Sequence, residues 1–275
     1  MASITAADIK KLREATGAGM TDCKKALVEA DGDYGKAVEQ LRIKGLKGVA
    51  KREGRAASNG LVIAKLDGTS KGTLLELNCE TDFVAKSPKF TELAQSVVDA
   101  AFGSNDVTSL QSVSVAGRPL NEVLDDANAS LGEKIEVRRV ATFEGAYVAS
   151  YLHRTNPDLP PQLGVLVELS GEDPEVAKDV AQHIAAFAPT YVSRHEVPED
   201  VVGKEREIAE ATAKEEGKPE AALPKIVEGR VNGFFKESVL LEQAFAKDNK
   251  KTVGKVLDEA GVQLTGFVRF KVGQA

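Results

Sequence analysis

One short segment of the chain carries two carboxylates and an aromatic ring within four positions. Glu80 and Asp82 flank Thr81, and Phe83 follows directly. Two carboxylates this close could act as a general acid and a general base, but that chemistry needs a shaped pocket that spacing alone does not establish. A turn that exposes Asp82 together with the ring of Phe83 would instead suit a protein-binding surface, in which aromatic anchors are common. A ring folded back onto the core is the simpler structural alternative, and the pattern leaves both open.

The other residue types that could do chemistry are few and scattered. None of the three histidines, at positions 153, 183 and 195, lies at a metal-ligand spacing from a second histidine, cysteine or carboxylate on one helix face. The two cysteines, Cys23 and Cys79, form neither a Cys-x-x-Cys pair nor a disulfide framework, which is typical of a reducing compartment. The chain also lacks a phosphate-binding Gly-x-x-x-x-Gly-Lys-Ser/Thr motif and a Gly-x-Ser-x-Gly nucleophile elbow. We therefore expect no metal, no cofactor and no enzymatic activity.

Composition narrows the class of partner. The 275 residues carry a formal net charge of −6, so the molecule as a whole does not present the basic surface that dominates nucleic-acid affinity. The N-terminus has no basic region followed by an apolar stretch, and no apolar run reaches the length of a membrane helix. These observations predict a cytoplasmic protein that binds neither nucleic acid directly nor membranes.

The N-terminal part, residues 1–45, reads as a module of three short helices. Thr5 followed by Asp8 resembles a helix capping box, and Leu12 and Met20 fall on apolar helix faces. The following residues, 46–58, lack a steady period and contain four basic side chains against one acid. We interpret them as a mobile basic linker, and contact with a nucleic acid such as ribosomal RNA is the alternative.

An internal repeat organises the rest of the chain. The segment 72–80 matches the segment 164–172, and the identical pairs are Gly72/Gly164, Leu74/Leu166, Glu76/Glu168, Leu77/Leu169 and Glu80/Glu172. A strand-like run precedes each copy and a helix follows it, so each copy should begin as an antiparallel strand pair. The helices of the two copies align with about five extra residues before the first. Residues Thr81 to Val84 lie in that excess, and Pro88 suits the start of the helix beyond it.

These elements predict an α+β fold. The N-terminal three-helix module should precede two duplicated subdomains, 59–144 and 145–275, each with a small antiparallel sheet packed by helices. Long strands should close the two subdomains at 134–143 and 263–272. About 196–261 should form a helical insertion before the last strand, with an apolar stripe at helical spacing. That stripe could pack internally or pair with a second copy, so a homodimer through this region is an open alternative.

Four segments, in order along almost the whole chain, resemble one known family. They are Thr16-Gly-Ala-Gly-Met-Thr-Asp-Cys-Lys-Lys-Ala-Leu27, Leu77-Asn-Cys-Glu-Thr-Asp-Phe-Val-Ala-Lys86, Tyr151-Leu-His153 before Gly164-Val-Leu-Val167, and Gly266-Phe-Val-Arg-Phe270. Together they are similar to bacterial translation elongation factor Ts. The resemblance implies a guanine-nucleotide exchange factor that binds elongation factor Tu with GDP, promotes GDP release and allows GTP reloading during translation elongation.

The resemblance also implies roles for individual residues. Thr81, Asp82, Phe83 and Val84 would enter between helices of the partner's GTPase domain and displace its bound Mg²⁺. Leu12 and Met20 would contact the same domain, and His153 would reach another domain of the partner. From the pattern alone, Met20 is more simply a core residue of the helical module, and His153 a strand-end residue. The chain departs from longer family members because no helical tail follows its last strand and the loop after His153 is rich in proline.

Overall fold

The computed structural model describes residues 4–16, 18–52 and 54–274, with residues 46–52 described by their backbone alone. The helices in these ranges are α1 (Ala6–Thr16), α2 (Met20–Glu29), α3 (Tyr34–Arg52), α4 (Asp82–Ala85), α5 (Pro88–Ala100), α6 (Leu120–Leu131), α7 (Pro174–Phe187), α8 (Glu199–Glu215), α9 (Leu223–Ser238) and α10 (Val253–Ala260). The strands are β1 (Asn59–Asp67), β2 (Lys71–Cys79), β3 (Ser114–Val115), β4 (Arg118–Pro119), β5 (Glu136–Glu144), β6 (Tyr147–His153), β7 (Leu163–Leu169), β8 (Ala244–Phe245), β9 (Asp248–Thr252) and β10 (Leu264–Lys271). The predicted α+β class is confirmed.

The three N-terminal helices pack around a small core of their own. Leu12 and Cys23 lose all contact with solvent there, and Leu27 and Ala37 pack beside them. The predicted capping box is present, because the Thr5 N–H donates to the Asp8 carboxylate at 2.9 Å and the Asp8 N–H donates to the Thr5 hydroxyl at 3.2 Å. This reciprocal pair satisfies two N–H groups at the start of α1 that the helix itself leaves unpaired.

The predicted linker at 46–58 is partly wrong, because α3 continues to Arg52. Lysine, leucine, alanine and arginine, which dominate this stretch, are good helix formers, and the helix also gains a packing partner. α3 lies against α6, where Arg42 pairs with Glu122 at 3.4 Å and with Asp126 at 3.5 Å. The sequence shows the charge of this stretch but not the helix across which it packs.

Two three-stranded antiparallel sheets form the centre of the molecule. Their strand orders are β1-β2-β5 and β6-β7-β10, and they pack face to face through a cluster that contains Val62, Leu74, Val148, Leu166 and Phe270. α5 and α6 cover the outer face of the first sheet, and α7 and α10 cover that of the second. The central strands β2 and β7 are therefore buried on both faces, which explains the nearly continuous apolar sequence of β7.

Residues that are identical in the two repeats meet where the sheets touch. A Cβ atom placed on Gly72 would come within 3.0 Å of Leu166, and one placed on Gly164 would come within 2.9 Å of Leu74. Each glycine therefore lets the opposite sheet approach closely. Each unit also ends with a two-stranded hairpin, a helix and a last strand, in the order β3-β4-α6-β5 and β8-β9-α10-β10, which is consistent with the predicted duplication.

The predicted helical insertion at about 196–261 needs a correction. α8 and α9 form a helical hairpin as expected, but β8 and β9 follow them before α10. The sequence of β9 is Asp-Asn-Lys-Lys-Thr, which lacks the apolar alternation that would identify a strand. The apolar stripe of α9, including Val227 and Val231, packs within the chain in a cluster shared with α8. None of the described helices combines the length and the apolar character required to cross a membrane.

Candidate functional site

Thr81 to Val84 form the start of a one-turn helix between β2 and α5. Thr81 has an extended backbone, and its hydroxyl caps α4 by accepting a hydrogen bond from the Val84 N–H at 3.4 Å. Ala85 is fully buried in the core between the first sheet and the helices α5 and α6, which we call the first core, and Val84 packs partly against it. These contacts anchor one side of the turn, so that Asp82 and Phe83 lie on its open side. Asp82 is the first residue of α4, so Glu80 and Asp82 do not lie together on one extended segment.

Phe83 has the largest exposed fraction among the large apolar side chains in the described ranges, at 72%. Its ring therefore does not fold back onto the sheet. The Lys86 ammonium lies 4.5 Å from the ring centroid and 3.8 Å from the Asp82 carboxylate. One helical turn thus presents an anion, an aromatic ring and a cation to solvent, all on a backbone that the core holds in place.

The corresponding connection in the second unit is shorter. Eight residues, 80–87, join β2 to α5, whereas four residues, 170–173, join β7 to α7. Both following helices begin with proline, and the side chain before each proline caps the helix, Ser87 in α5 and Asp173 in α7. The additional residues in the first unit are those that build α4, close to the excess of about five predicted from the repeat.

A second set of side chains holds the segment that leads into the turn. The Glu133 carboxylate accepts hydrogen bonds from the Glu80 N–H at 3.1 Å, from the Thr81 N–H at 3.0 Å and from the Thr81 hydroxyl. The Glu80 carboxylate accepts the Lys134 N–H at 2.7 Å and is paired with Arg55 at 3.2 Å. Glu80 is therefore engaged in holding the backbone, and the structure gives no support to a role for it as a general base.

Sequence reasoning missed Glu133 and the structural role of Arg55. Glu133 reaches Thr81 across 52 positions of the chain, and no local pattern predicts a pairing at that separation. The sequence indicates Arg55 only as one member of a basic stretch, for which contact with a nucleic acid is the alternative to a linker. In the structure it neutralises Glu80, while the side chains of Lys47, Lys51 and Arg52 lie outside the described residues.

The environment of the turn makes the neighbouring thiol unreactive. Cys79 is fully buried, and its thiol donates to the Thr81 carbonyl at 3.2 Å. Burial, reinforced by the charge of Glu133, raises the pKa of Cys79 to about 12. Because the thiolate is the nucleophile, Cys79 serves here as a packed hydrogen-bond donor.

The three other predicted site residues differ in exposure. Met20 is 48% exposed at the start of α2, so the prediction that it belongs to the module's core is wrong. Leu12 has no exposed surface. Its assignment as a direct partner contact is therefore corrected, because the side chain fills the space between the three helices. His153 is exposed at the end of β6, with Nδ1 3.0 Å from the Tyr151 hydroxyl.

A cleft of about 620 Å³ lies between the helical module and the first unit. The junction of α1 and α2, the middle of α3 and the last turn of α6 form its walls, and Lys89 at the start of α5 reaches its edge. α2, which begins with Met20, lies on one side of the cleft. α5, the helix after the turn that carries Phe83, reaches the cleft at its edge through Lys89. Four of its charged side chains form two ion pairs, Arg42 with Asp126 and Lys44 with Asp22.

His183 is the one histidine buried within the described part of the chain. Its Nδ1 accepts the Ala246 N–H at 3.1 Å, so Nε2 carries the proton and donates to the Gln243 side-chain oxygen at 2.8 Å. Burial lowers the pKa of His183 below its ordinary value, although the bond to Gln243 opposes the shift. His183 is therefore a neutral core residue. Among the described residues, no group of three or more His, Cys, Asp or Glu side chains could hold a metal ion.

Comparison with known proteins gives the family. The family model described as "Elongation factor TS" matches residues 80–274. The chain is 62% identical over 276 residues to elongation factor Ts of Acidothermus cellulolyticus, with 100% of both chains covered. It is also 62% identical over 278 residues to elongation factor Ts of Thermobifida fusca, again over 100% of both. The chain belongs to the elongation factor Ts family. Its members are translation elongation factors by name, and the predicted family is confirmed.

The region matched by the family model includes the turn that carries Phe83 and also Glu133, which holds that turn. The match to the elongation factor Ts model begins at Glu80, one residue before the cap of α4. It includes β5 of the first sheet and all three strands of the second sheet, and it ends at residue 274, just after β10. The N-terminal module and strands β1 and β2 lie outside that match, but the full-length relatives cover them. Elongation factor Ts of Streptomyces griseus is likewise 62% identical over 277 residues, which cover 99% of this chain.

Proposed function

We propose that this member of the elongation factor Ts family is a guanine-nucleotide exchange factor for elongation factor Tu. It binds elongation factor Tu with GDP, displaces the bound Mg²⁺ and so promotes GDP release, after which GTP loads during translation elongation. The observation that carries this proposal is the 72% exposure of Phe83 on a turn anchored on its other side. The factor acts in the cytoplasm without a covalent step, and in this sense it is not an enzyme.

The physical basis of exchange is the loss of the metal. In a GTPase site Mg²⁺ bridges protein ligands and nucleotide phosphates, so its removal deprives GDP of a strong electrostatic contact. A rigidly mounted ring can enter between helices of the partner, and an adjacent carboxylate can disturb the groups that support the metal. Because binding free energies are linked, GDP weakens the complex by the same factor by which the complex weakens GDP binding.

The four residues of the turn divide this work. Asp82 and Phe83 lie on the open side and make the contacts, whereas Thr81 caps the helix and Val84 packs on the core. Met20 on α2 and His153 at the end of β6 supply further contacts, and the exposure of both supports this assignment. Leu12 acts indirectly, by holding together the helices that present Met20.

The test is the rate at which fluorescently labelled GDP leaves a bacterial elongation factor Tu at millimolar Mg²⁺. Substoichiometric amounts of the intact protein should accelerate release and should turn over many times. Phe83→Ala should slow the catalysed rate about tenfold or more, the loss expected for a central aromatic anchor. Phe187→Ala, which removes a second exposed phenylalanine from α7, is the matched control and should leave the rate unchanged. No acceleration by the intact protein would refute the proposed function.

A further inference from the structure

We propose that Glu133 is a positioning residue for the turn formed by Thr81 to Val84. It acts only by fixing the geometry of Thr81 and of the residues that follow it. This inference rests on the proposed function, because it assigns to Glu133 the task of holding Asp82 and Phe83 in the conformation that meets the partner. Glu133 lies outside the turn in the sequence, at the other end of the same unit, between α6 and β5.

Glu133 takes over where the backbone pairing of the sheet ends. The last paired residues of β2 and β5 are Asn78 and Glu136, so the N–H groups of Glu80 and Thr81 have no strand partner beyond them. One oxygen of the Glu133 carboxylate accepts both, at 3.1 and 3.0 Å. A carboxylate that receives two consecutive backbone N–H groups fixes the orientation of the peptide between them, and hydrogen bonds to a charged acceptor are the stronger kind.

The second oxygen of Glu133 sets the direction of the helix cap. The Thr81 hydroxyl has one proton, and it donates that proton to Glu133. Its lone pairs are therefore free to accept the Val84 N–H, the bond that begins α4. Without Glu133 the hydroxyl could rotate and donate elsewhere, and the cap would lose its preferred orientation. The exposed pair Asp82 and Phe83 is carried on the turn that this cap starts.

Glu133 is itself held from both sides. It follows Gly132, which ends α6 in the left-handed conformation at φ 78°. The next residue, Lys134, donates its N–H to the Glu80 carboxylate at 2.7 Å, and Ile135 is buried in the first core. Glu80 and Glu133 thus each accept backbone N–H groups from the segment that carries the other. This reciprocal pair locks the end of β2 to the start of β5.

The first test uses the isolated protein and needs no partner. In Glu133→Ala, amide hydrogen exchange at Glu80, Thr81 and Val84 should accelerate about tenfold or more relative to the intact protein, because their acceptor or cap is lost. Glu136→Ala removes a carboxylate three positions away that, in the part of the chain the structure describes, pairs only with the Lys134 side chain, at 2.9 Å. It is the matched control and should leave these three amides unchanged. Unaltered exchange in Glu133→Ala would overturn the geometric part of the inference.

The second test asks whether Glu133 acts through the turn. Glu133→Ala should slow catalysed GDP release about tenfold. Glu133→Gln keeps one oxygen for the two N–H groups but places an amide nitrogen where the other oxygen accepts the Thr81 hydroxyl, so it should restore only part of the rate. In the Phe83→Ala background, Glu133→Ala should add less than about twofold, because residues that act as one unit are not additive. An equal further loss in that background would contradict the inference, since it would mean an independent structural role.

A second variant protects the test against poor folding. Thr81→Val removes only the hydroxyl and leaves the Glu133 carboxylate with both backbone N–H groups, so a severalfold slower rate of GDP release is expected. An unchanged rate would argue against the cap as the route of action. If the intact protein does not accelerate GDP release at all, the proposed function fails, while the amide-exchange result still decides whether Glu133 holds the turn.

Discussion

Arg139→Met should be one of the most destabilising single substitutions in this chain, because it leaves a buried carboxylate without its partner. Glu76 has no exposed surface, and it accepts a hydrogen bond from Arg139 Nε at 2.7 Å and a second from Nη2. Its other oxygen, Oε1, has no partner among the described groups. Arg139 also donates to the Lys271 carbonyl at 3.0 Å and lies 4.7 Å from the Phe270 ring centroid. It therefore ties β5 of the first sheet to β10 of the second.

Removal of one partner from a buried ion pair costs about 3–5 kcal/mol of folding free energy, because the remaining charge stays desolvated. Arg139→Met should lower the free energy of unfolding by this amount, measured by urea denaturation followed by circular dichroism at pH 7. Glu76→Leu combined with Arg139→Met removes both charges and should recover most of the loss. The reasoning would be refuted if Arg139→Met cost less than about 1 kcal/mol, or if the double variant were as unstable as Arg139→Met alone.

Three further predictions concern the stability of the protein, namely its dependence on pH and its response to substitutions in the core. The pKa of His183 is lowered in the folded protein, so the imidazole of the unfolded chain is protonated first as the pH falls. The free energy of unfolding should therefore decline below about pH 6.5, by up to about 1.4 kcal/mol per pH unit. Urea midpoints measured at a series of pH values should show this decline, and His183→Gln should reduce its slope. Leu12→Ala should destabilise the helical module by about 2–5 kcal/mol, read from amide exchange in α1–α3, whereas Met20→Ala should change that stability by less than about 1 kcal/mol. Gly164→Val should lower the thermal midpoint by several degrees, since about 1–3 kcal/mol of overpacking is forced between the sheets, while an unchanged midpoint would contradict the close approach described here.

The regular elements of this protein could be predicted because their periods are local. The antiparallel strand pair at the start of each copy of the repeat and the capping box at Thr5 depend on neighbours in the sequence, and the structure confirms them. The helical course of α3 beyond residue 45 could not be predicted, because its partner α6 is distant in sequence. The polar strand β9 could not be predicted for a different reason. It is a strand because it pairs with β8 in a short hairpin, and its sequence has no apolar alternation.

In the candidate site too, the features that depend on the local sequence could be predicted, and those that depend on distant contacts could not. The repeat indicates extra residues around Thr81, because a comparison of two copies needs only the sequence. The exposure of Phe83 depends on how Val84 and Ala85 pack into the core. The sequence pattern alone leaves an exposed ring and a ring folded back onto the core as open alternatives. Glu133 was missed because its contact with Thr81 joins the end of one strand to the start of another, and such pairings follow from the sheet register.

If Phe83 promotes GDP release by displacing Mg²⁺, its effect should depend on the metal, so the Mg²⁺ dependence of release is the most direct test. Release of labelled GDP from elongation factor Tu should be measured with the intact protein and with Phe83→Ala, first at millimolar Mg²⁺ and then in excess EDTA. With Mg²⁺ present the variant should be slower by about tenfold or more. In EDTA, where no metal remains to be displaced, most of this difference should disappear. An equal difference in both conditions would contradict the account, as would equal rates with Mg²⁺ present.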